Sequence, residues 1–188
     1  MSMEHDLTYT LERYHAEMDA KAYIEGFRNA DYFLQFCRQC GNYGRRYGCP
    51  PFETDPLSSI CHFTKVRIWG VKIIPNSKRV PLELACNLME PVTRQLNEEL
   101  LEMERALGGL AFGFVGACPY CNGEQCARIV GMPCWHPEKV RPSLEAIGFD
   151  MGKTAKELLN LDIKWSTGDY IPEYLTLVCG VFYGSRQV

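Results

Sequence analysis

Val66-Arg67-Ile68-Trp69-Gly70-Val71-Lys72-Ile73-Ile74 is a run dense in β-branched and aromatic residues, and it stops at Pro75-Asn76-Ser77. It reads as a strand ended by a turn. Apolar side chains fall on both of its faces, which predicts a central strand covered on both sides. Downstream, Ala85, Leu88, Met89, Val92, Leu96, Leu100, Met103 and Leu107 advance by threes and fours, the stripe of a helix lying on a core. Pro81 suits its first position and Gly108-Gly109 its stop. Pro91 lies inside this stretch and is expected to kink the helix or start a second one, because it has no N–H donor.

Outward from this pair, Leu110 to Val115 reads as a short strand, and Tyr174 to Tyr183 as a strongly β-prone one. Asp19 is a candidate N-cap for a helix reaching about Cys37. Ser143 to Ile147, closed by Gly148, and a segment capped by Asp150 and running to about Asn160 are two further helices. Strands separated by helices predict an α/β, or α+β, fold: a small sheet with packed helices and cysteine-rich loops at its edge. No repeat or linker divides the chain, so residues 1–188 are expected to form one domain.

Composition excludes several functions. The chain has 188 residues, 46% of them hydrophobic, and a net charge of -3, so it has an ordinary core and no global basic field. Nucleic-acid binding is therefore not expected. Residues 38–79 do carry eight basic and two acidic groups; a solvated face is the common meaning of such a run, though it can also offset thiolate charge. No apolar run approaches the roughly 18 residues that span a bilayer, and Met1-Ser2-Met3-Glu4-His5-Asp6 lacks the order of a signal peptide, so a cytoplasmic protein without membrane association is expected. Serine-hydrolase elbows, phosphate-binding glycine loops and H-E-x-x-H are missing.

Ten cysteines are the main chemical signal. Cys118, Cys121, Cys126 and Cys134 follow C-x2-C-x4-C-x7-C, four thiols within 17 residues that can converge on one centre. Thiolates are soft ligands, which points to iron–sulfur, zinc or copper(I). Structural zinc usually draws on two separated pairs, whereas ferredoxin-type clusters gather close-set cysteines from one winding loop. This spacing is nearer the second, with longer x4 and x7 gaps than the standard run.

Cys37, Cys40 and Cys49 form C-x2-C-x8-C-P-P and need a fourth ligand. Cys61, His62, Cys86, Cys179 or a thiolate from the other set are the options, as is an open position that binds substrate. Cys86 on a helix stripe and Cys179 in an apolar strand are most simply core residues. His136, next but one to Cys134, can replace a thiolate, while His5 and His15 sit in a polar stretch. Gly41, Gly44, Gly48, Gly123 and Gly131 give loops the freedom to wrap a metal. Tyr43 and Tyr47 with Arg45 and Arg46 can pack over a cluster or stack on single-stranded nucleic acid, the packing role being the simpler. Arg141-Pro142-Ser143 opens a helix, and Arg128, Lys139 and Arg141 can lie against a negatively charged cluster.

The stretches C37-R-Q-C-G-N-Y-G-R-R-Y-G-C49-P-P-F and C134-W-H-P-E-K-V-R-P-S-L-E-A-I-G-F-D150 resemble a family of small cysteine-rich bacterial and archaeal proteins of unknown function, catalogued as predicted metal-binding proteins. The resemblance covers nearly the whole chain. It implies that Cys37, Cys40, Cys49, Cys118, Cys121, Cys126 and Cys134 form the metal-binding framework, and it names neither reaction nor substrate. Spacing and resemblance together predict an iron–sulfur protein with a 4Fe–4S cluster on Cys118, Cys121, Cys126 and Cys134. A second metal is expected on the other three, with an electron-transfer or accessory redox role toward an unidentified partner. A structural zinc protein acting as an interaction module is the alternative, and a metal carrier or thiol sensor a further one.

Overall fold

A computed structural model describes residues 7–113, 118–121 and 126–185. The elements run β1 (Tyr9–Asp19), α1 (Ala20–Phe27), α2 (Ala30–Gln39), α3 (Pro56–Ile60), β2 (Phe63–Pro75), α4 (Ala85–Leu107), β3 (Leu110–Phe112), α5 (Met151–Leu159) and β4 (Leu175–Ser185). The four strands form one antiparallel sheet in the order β1-β2-β4-β3. The expected α/β architecture is present, and its uniformly antiparallel pairing places it toward α+β.

β2 is central, as its two apolar faces require. Val66 and Ile68 point to one side, where they pack with Tyr23 of α1, Phe149, Ala155 of α5 and Phe182 of β4. Val71 and Ile73 point to the other, onto Val92 and Leu96 of α4 and Leu177 of β4. The sheet is thus sandwiched between α4 and the pair α1 and α5. Leu88, Val92, Leu96, Leu100 and Leu101 are the buried stripe of α4, each contributing about 1.5–3 kcal/mol through burial. The helix ends where Gly108 turns left-handed at φ 58°. Pro91 does not start a second helix: α4 is one 23-residue element that forgoes a single N–H donor in its second turn.

Two further departures have physical causes. The helix expected from Asp19 to Cys37 is divided at Arg28-Asn29. Asp19 caps α1 by accepting from Ala22 N at 2.8 Å, but Arg28 then extends and bridges Phe149, and Asn29 caps α2 through Tyr32 N. Asp150 N donates back to Phe27 O at 2.8 Å, so the break is made by tertiary pairing. β1 is the second departure, a strand in a stretch that reads as merely polar. It is an edge strand whose charges are spent on its neighbours: Glu12 pairs with Lys72 and Glu17 with Lys65 and Arg67 across the ladder, and Arg13 with Glu99 of α4.

Among the described residues no helix is long and apolar enough to cross a membrane. The expected strand end at Val115, the loop glycine Gly123 and His5 lie outside the described residues.

Candidate metal centre

Helix α2 delivers the first cysteine set. Cys37 occupies its last turn and Cys40 is its C-cap, with Cys40 N donating to Cys37 O at 3.0 Å. The loop then folds on itself through Tyr43 N to Cys40 O, Gly44 N to Pro50 O and Cys49 N to Arg46 O. Gly44 sits at φ 68°, a left-handed conformation that glycine adopts without strain.

The second set follows β3 at the edge of the sheet, where Gly113 bridges Ser143. Cys118 precedes one short 3-10 turn, Pro119–Cys121, and Cys126 precedes another, Ala127–Val130, closed by left-handed Gly131. Cys134 Sγ accepts from His136 N at 3.4 Å. Cys126 is buried and Cys118, Cys121 and Cys134 are half-buried.

The loops are tied together by side chains of the segments between the cysteines. Arg128 donates to Arg46 O at 2.8 Å, Cys49 O at 2.7 Å and Pro51 O at 2.5 Å. Tyr47 Oη donates to Met132 O at 2.6 Å, and the Arg128 guanidinium lies 5.8 Å from the Tyr47 ring centroid. Tyr47 of the expected aromatic and basic group is therefore spent on joining the loops, together with Arg128 from outside that group.

Between the loops lies a cavity of about 170 Å³ whose wall includes Cys37, Cys40, Cys49 and Cys118, with Tyr120, Lys139, Arg141 and Glu145. Arg141 is fixed by Glu104 at the end of α4 through bonds of 2.7 and 2.5 Å, and Glu104 also accepts from Ala111 N at 2.6 Å. Lys139 stands over the Tyr120 ring at 5.8 Å. The opening of the 3-10 turn Glu145–Ile147 is as expected, with Ser143 Oγ accepting from Ala146 N.

The thiols feel one another. Burial pushes the Cys118 thiol up, the Tyr120 N–H pulls it down, and Cys121, Cys134 and Cys126 push it up again. Burial likewise raises Cys49, as do Cys40 and Cys37, against Arg46 and Arg128. Crowded thiols that resist ionising suit a cation, which reverses that penalty. Of the seven expected residues, Cys37, Cys40, Cys49 and Cys118 line the cavity, while Cys121, Cys126 and Cys134 act electrostatically on Cys118 without lining it. Among the described residues no three Cys, His, Asp or Glu side chains are placed to hold a single metal ion.

Of the optional fourth ligands, Cys118 of the other set lines the same cavity, whereas Cys61, His62, Cys86 and Cys179 do not. Cys61 and Cys86 are exposed, Cys179 is buried with Leu100 and Val181, and His62 packs on Phe63. Among residues that the cysteine pattern does not flag, Tyr120 Oη and Glu145 Oε2 are buried without a hydrogen-bond partner. No spacing in the sequence announces either.

The small sheet thus sets Cys37, Cys40 and Cys49 of one set and Cys118 of the other around one cavity. The family model described as "Predicted metal-binding protein (DUF2284)", a family of unknown function, matches residues 24–182, and the chain belongs to that family. No curated protein and no solved structure matches it significantly.

Proposed function

We propose that the protein is an iron–sulfur redox protein, with a 4Fe–4S cluster on Cys118, Cys121, Cys126 and Cys134 and a second metal on Cys37, Cys40 and Cys49. The observation that carries this reading is the second loop itself. Four coupled thiols wind from one segment, and the N–H groups of Tyr120 and His136 are directed at the sulfurs of Cys118 and Cys134. Hydrogen bonds to sulfur are a main device for setting a cluster's potential. When bound, such a cluster supplies a one-electron couple. Arg128, Lys139 and Arg141 offset its negative charge, and Cys118 in the wall of the cavity that Cys37, Cys40 and Cys49 line supports electron exchange between the two metals.

A zinc-bearing interaction module is the second reading, and one observation favours it. Ile129, Val130, Met132 and Trp135 are exposed around the second loop, an apolar surface fit for a protein partner.

Expression and purification without oxygen, with iron, acid-labile sulfide and a visible spectrum measured, separates the two. Brown protein bleached by dithionite, with colour lost in Cys118→Ser, is expected. Colourless protein with stoichiometric zinc would end the redox reading.

A further inference from the structure

Three cations line the cavity between the loops, and the fold neutralises one of them, Arg141, through its ion pair with Glu104. Arg46 and Lys139 line the same wall, and among the described residues no carboxylate pairs with either. Lys139 Nζ stands 5.8 Å from the ring centroid of Tyr120, itself a lining residue, which sets the ammonium at the wall. The Arg46 charge reaches Cys49, whose thiol it pulls down against burial. Glu145 is the one carboxylate among the described lining residues, and burial pushes it up to about 7, so it balances at most one of the two. The wall keeps an excess of positive charge. Asn42 and Asn97 add side-chain amides that make no hydrogen bond to a described residue.

Other parts of the wall are apolar, supplied by Tyr43, Pro50, Tyr120 and Ala146. An apolar wall with a few placed polar groups is the usual make-up of a small-molecule site. Its volume, about 170 Å³, is close to the roughly 150 Å³ of an apolar cavity that takes up benzene. Close packing fixes its shape: a Cβ on Gly113 would stand 3.4 Å from Asn97 Oδ1 and 3.6 Å from Arg141 O, and one on Gly48 3.5 Å from the same carbonyl. We propose that this cavity binds a small organic carboxylate, its head group between Arg46 and Lys139 and its carbon body against the two tyrosine rings. A guanidinium presents the planar fork that a carboxylate matches, and a partly enclosed site strengthens the pairing. Inorganic phosphate satisfies the cations but leaves the apolar wall uncovered. The proposal rests on the function proposed above only in taking this cavity as the functional site, and it holds whichever metal the thiols carry.

The test is equilibrium dialysis of the full chain, purified without oxygen and with its metal content measured, against radiolabelled benzoate. Unlabelled butyrate, benzamide and inorganic phosphate serve as competitors. Benzoate is expected to bind saturably, with butyrate competing and with benzamide and phosphate each at least about 10-fold weaker. Arg46→Gln and Lys139→Gln are each expected to weaken benzoate by at least about 10-fold. Lys164→Gln, in an exposed loop that does not line the cavity, is expected to leave it unchanged. Near-ultraviolet circular dichroism and metal content matched to wild type show that a loss comes from the missing charge and not from the fold or the metal. Absence of saturable binding would overturn the proposal, as would benzamide or phosphate binding as tightly as benzoate. Wild-type affinity in both Arg46→Gln and Lys139→Gln, or an equal loss in Lys164→Gln, would overturn it too. Benzoate binding by a colourless zinc protein would end the redox reading and leave this one standing, whereas an iron–sulfur protein that binds no benzoate would do the reverse.

Discussion

Replacing Arg128 with methionine removes the fork that joins the two cysteine loops while keeping an apolar stem of similar reach. Of its three bonds to first-loop carbonyls, those to Arg46 and Cys49 are half-buried and the one to Pro51 is exposed. A hydrogen bond to a charged group contributes about 1.5–3 kcal/mol, so two at the low end make local opening of the loop easier by about 3 kcal/mol. At 1.4 kcal/mol per factor of ten, that is about 100-fold. Amide hydrogen exchange reads it directly. Tyr43 N, Gly44 N, Arg45 N and Cys49 N are all hydrogen-bonded within the loop, and their exchange should speed up by about that factor. Amides of the β2–β4 ladder should keep their protection. Arg128→Lys should fall between, since an ammonium cannot present a planar fork to three carbonyls. Loop exchange that changes by less than about threefold in Arg128→Met would refute the claim that this residue holds the loops together.

Gly148 sits at φ 92°, and a Cβ there would stand 2.6 Å from Ala30 Cα, so Gly148→Ala should cost about 3 kcal/mol, or about 6–12 °C in Tm by calorimetry. Hydrogen bonds from Tyr183, Arg67 and Lys65 hold the Glu17 carboxyl down to about 2 from an ordinary 4.5. The stability it contributes is full above 4.5 and fades as pH falls toward 2; urea midpoints across that range should drop less in Glu17→Gln than in wild type. Cys179 is packed in the core under α4, where burial pushes its thiol up, so Cys179→Ser should destabilise by about 1–3 kcal/mol while elemental analysis shows metal content unchanged.

The parts of the fold legible in the sequence are those whose burial is written in local pattern. β2 carries apolar residues on both faces and is central; α4 carries one stripe and lies on one face; Asp150 caps α5 through Lys153 N and Asn160 closes it left-handed. β1 escaped because an edge strand with one wet face can be built from Glu12, Arg13 and Glu17, whose value lies in partners on β2 and α4. The break at Arg28-Asn29 escaped because Phe149 and Gly148, far along the chain, decide it. The same limit applies at the site. Spacing groups each cysteine set, but their meeting at one cavity depends on Arg128 reaching backbone carbonyls, which no side-chain pattern encodes. Glu145 is one acidic residue among many until the fold buries it.

The order of the strands sets a timetable for the thiols. β4 is the last described element along the chain, yet it lies between β2 and β3. A ribosome adds about 5–20 residues each second, so Cys37 waits on the order of ten seconds before the strand that closes the sheet has been made. During that interval the first three thiols are exposed on a nascent chain, open to oxidants and to whichever metal is most available, with no cavity to select among them. On the proposed metal reading, a cell that needs one particular metal on these thiols must protect them while new or deliver the metal after release, and strains with a disturbed metal supply should accumulate mismetallated protein.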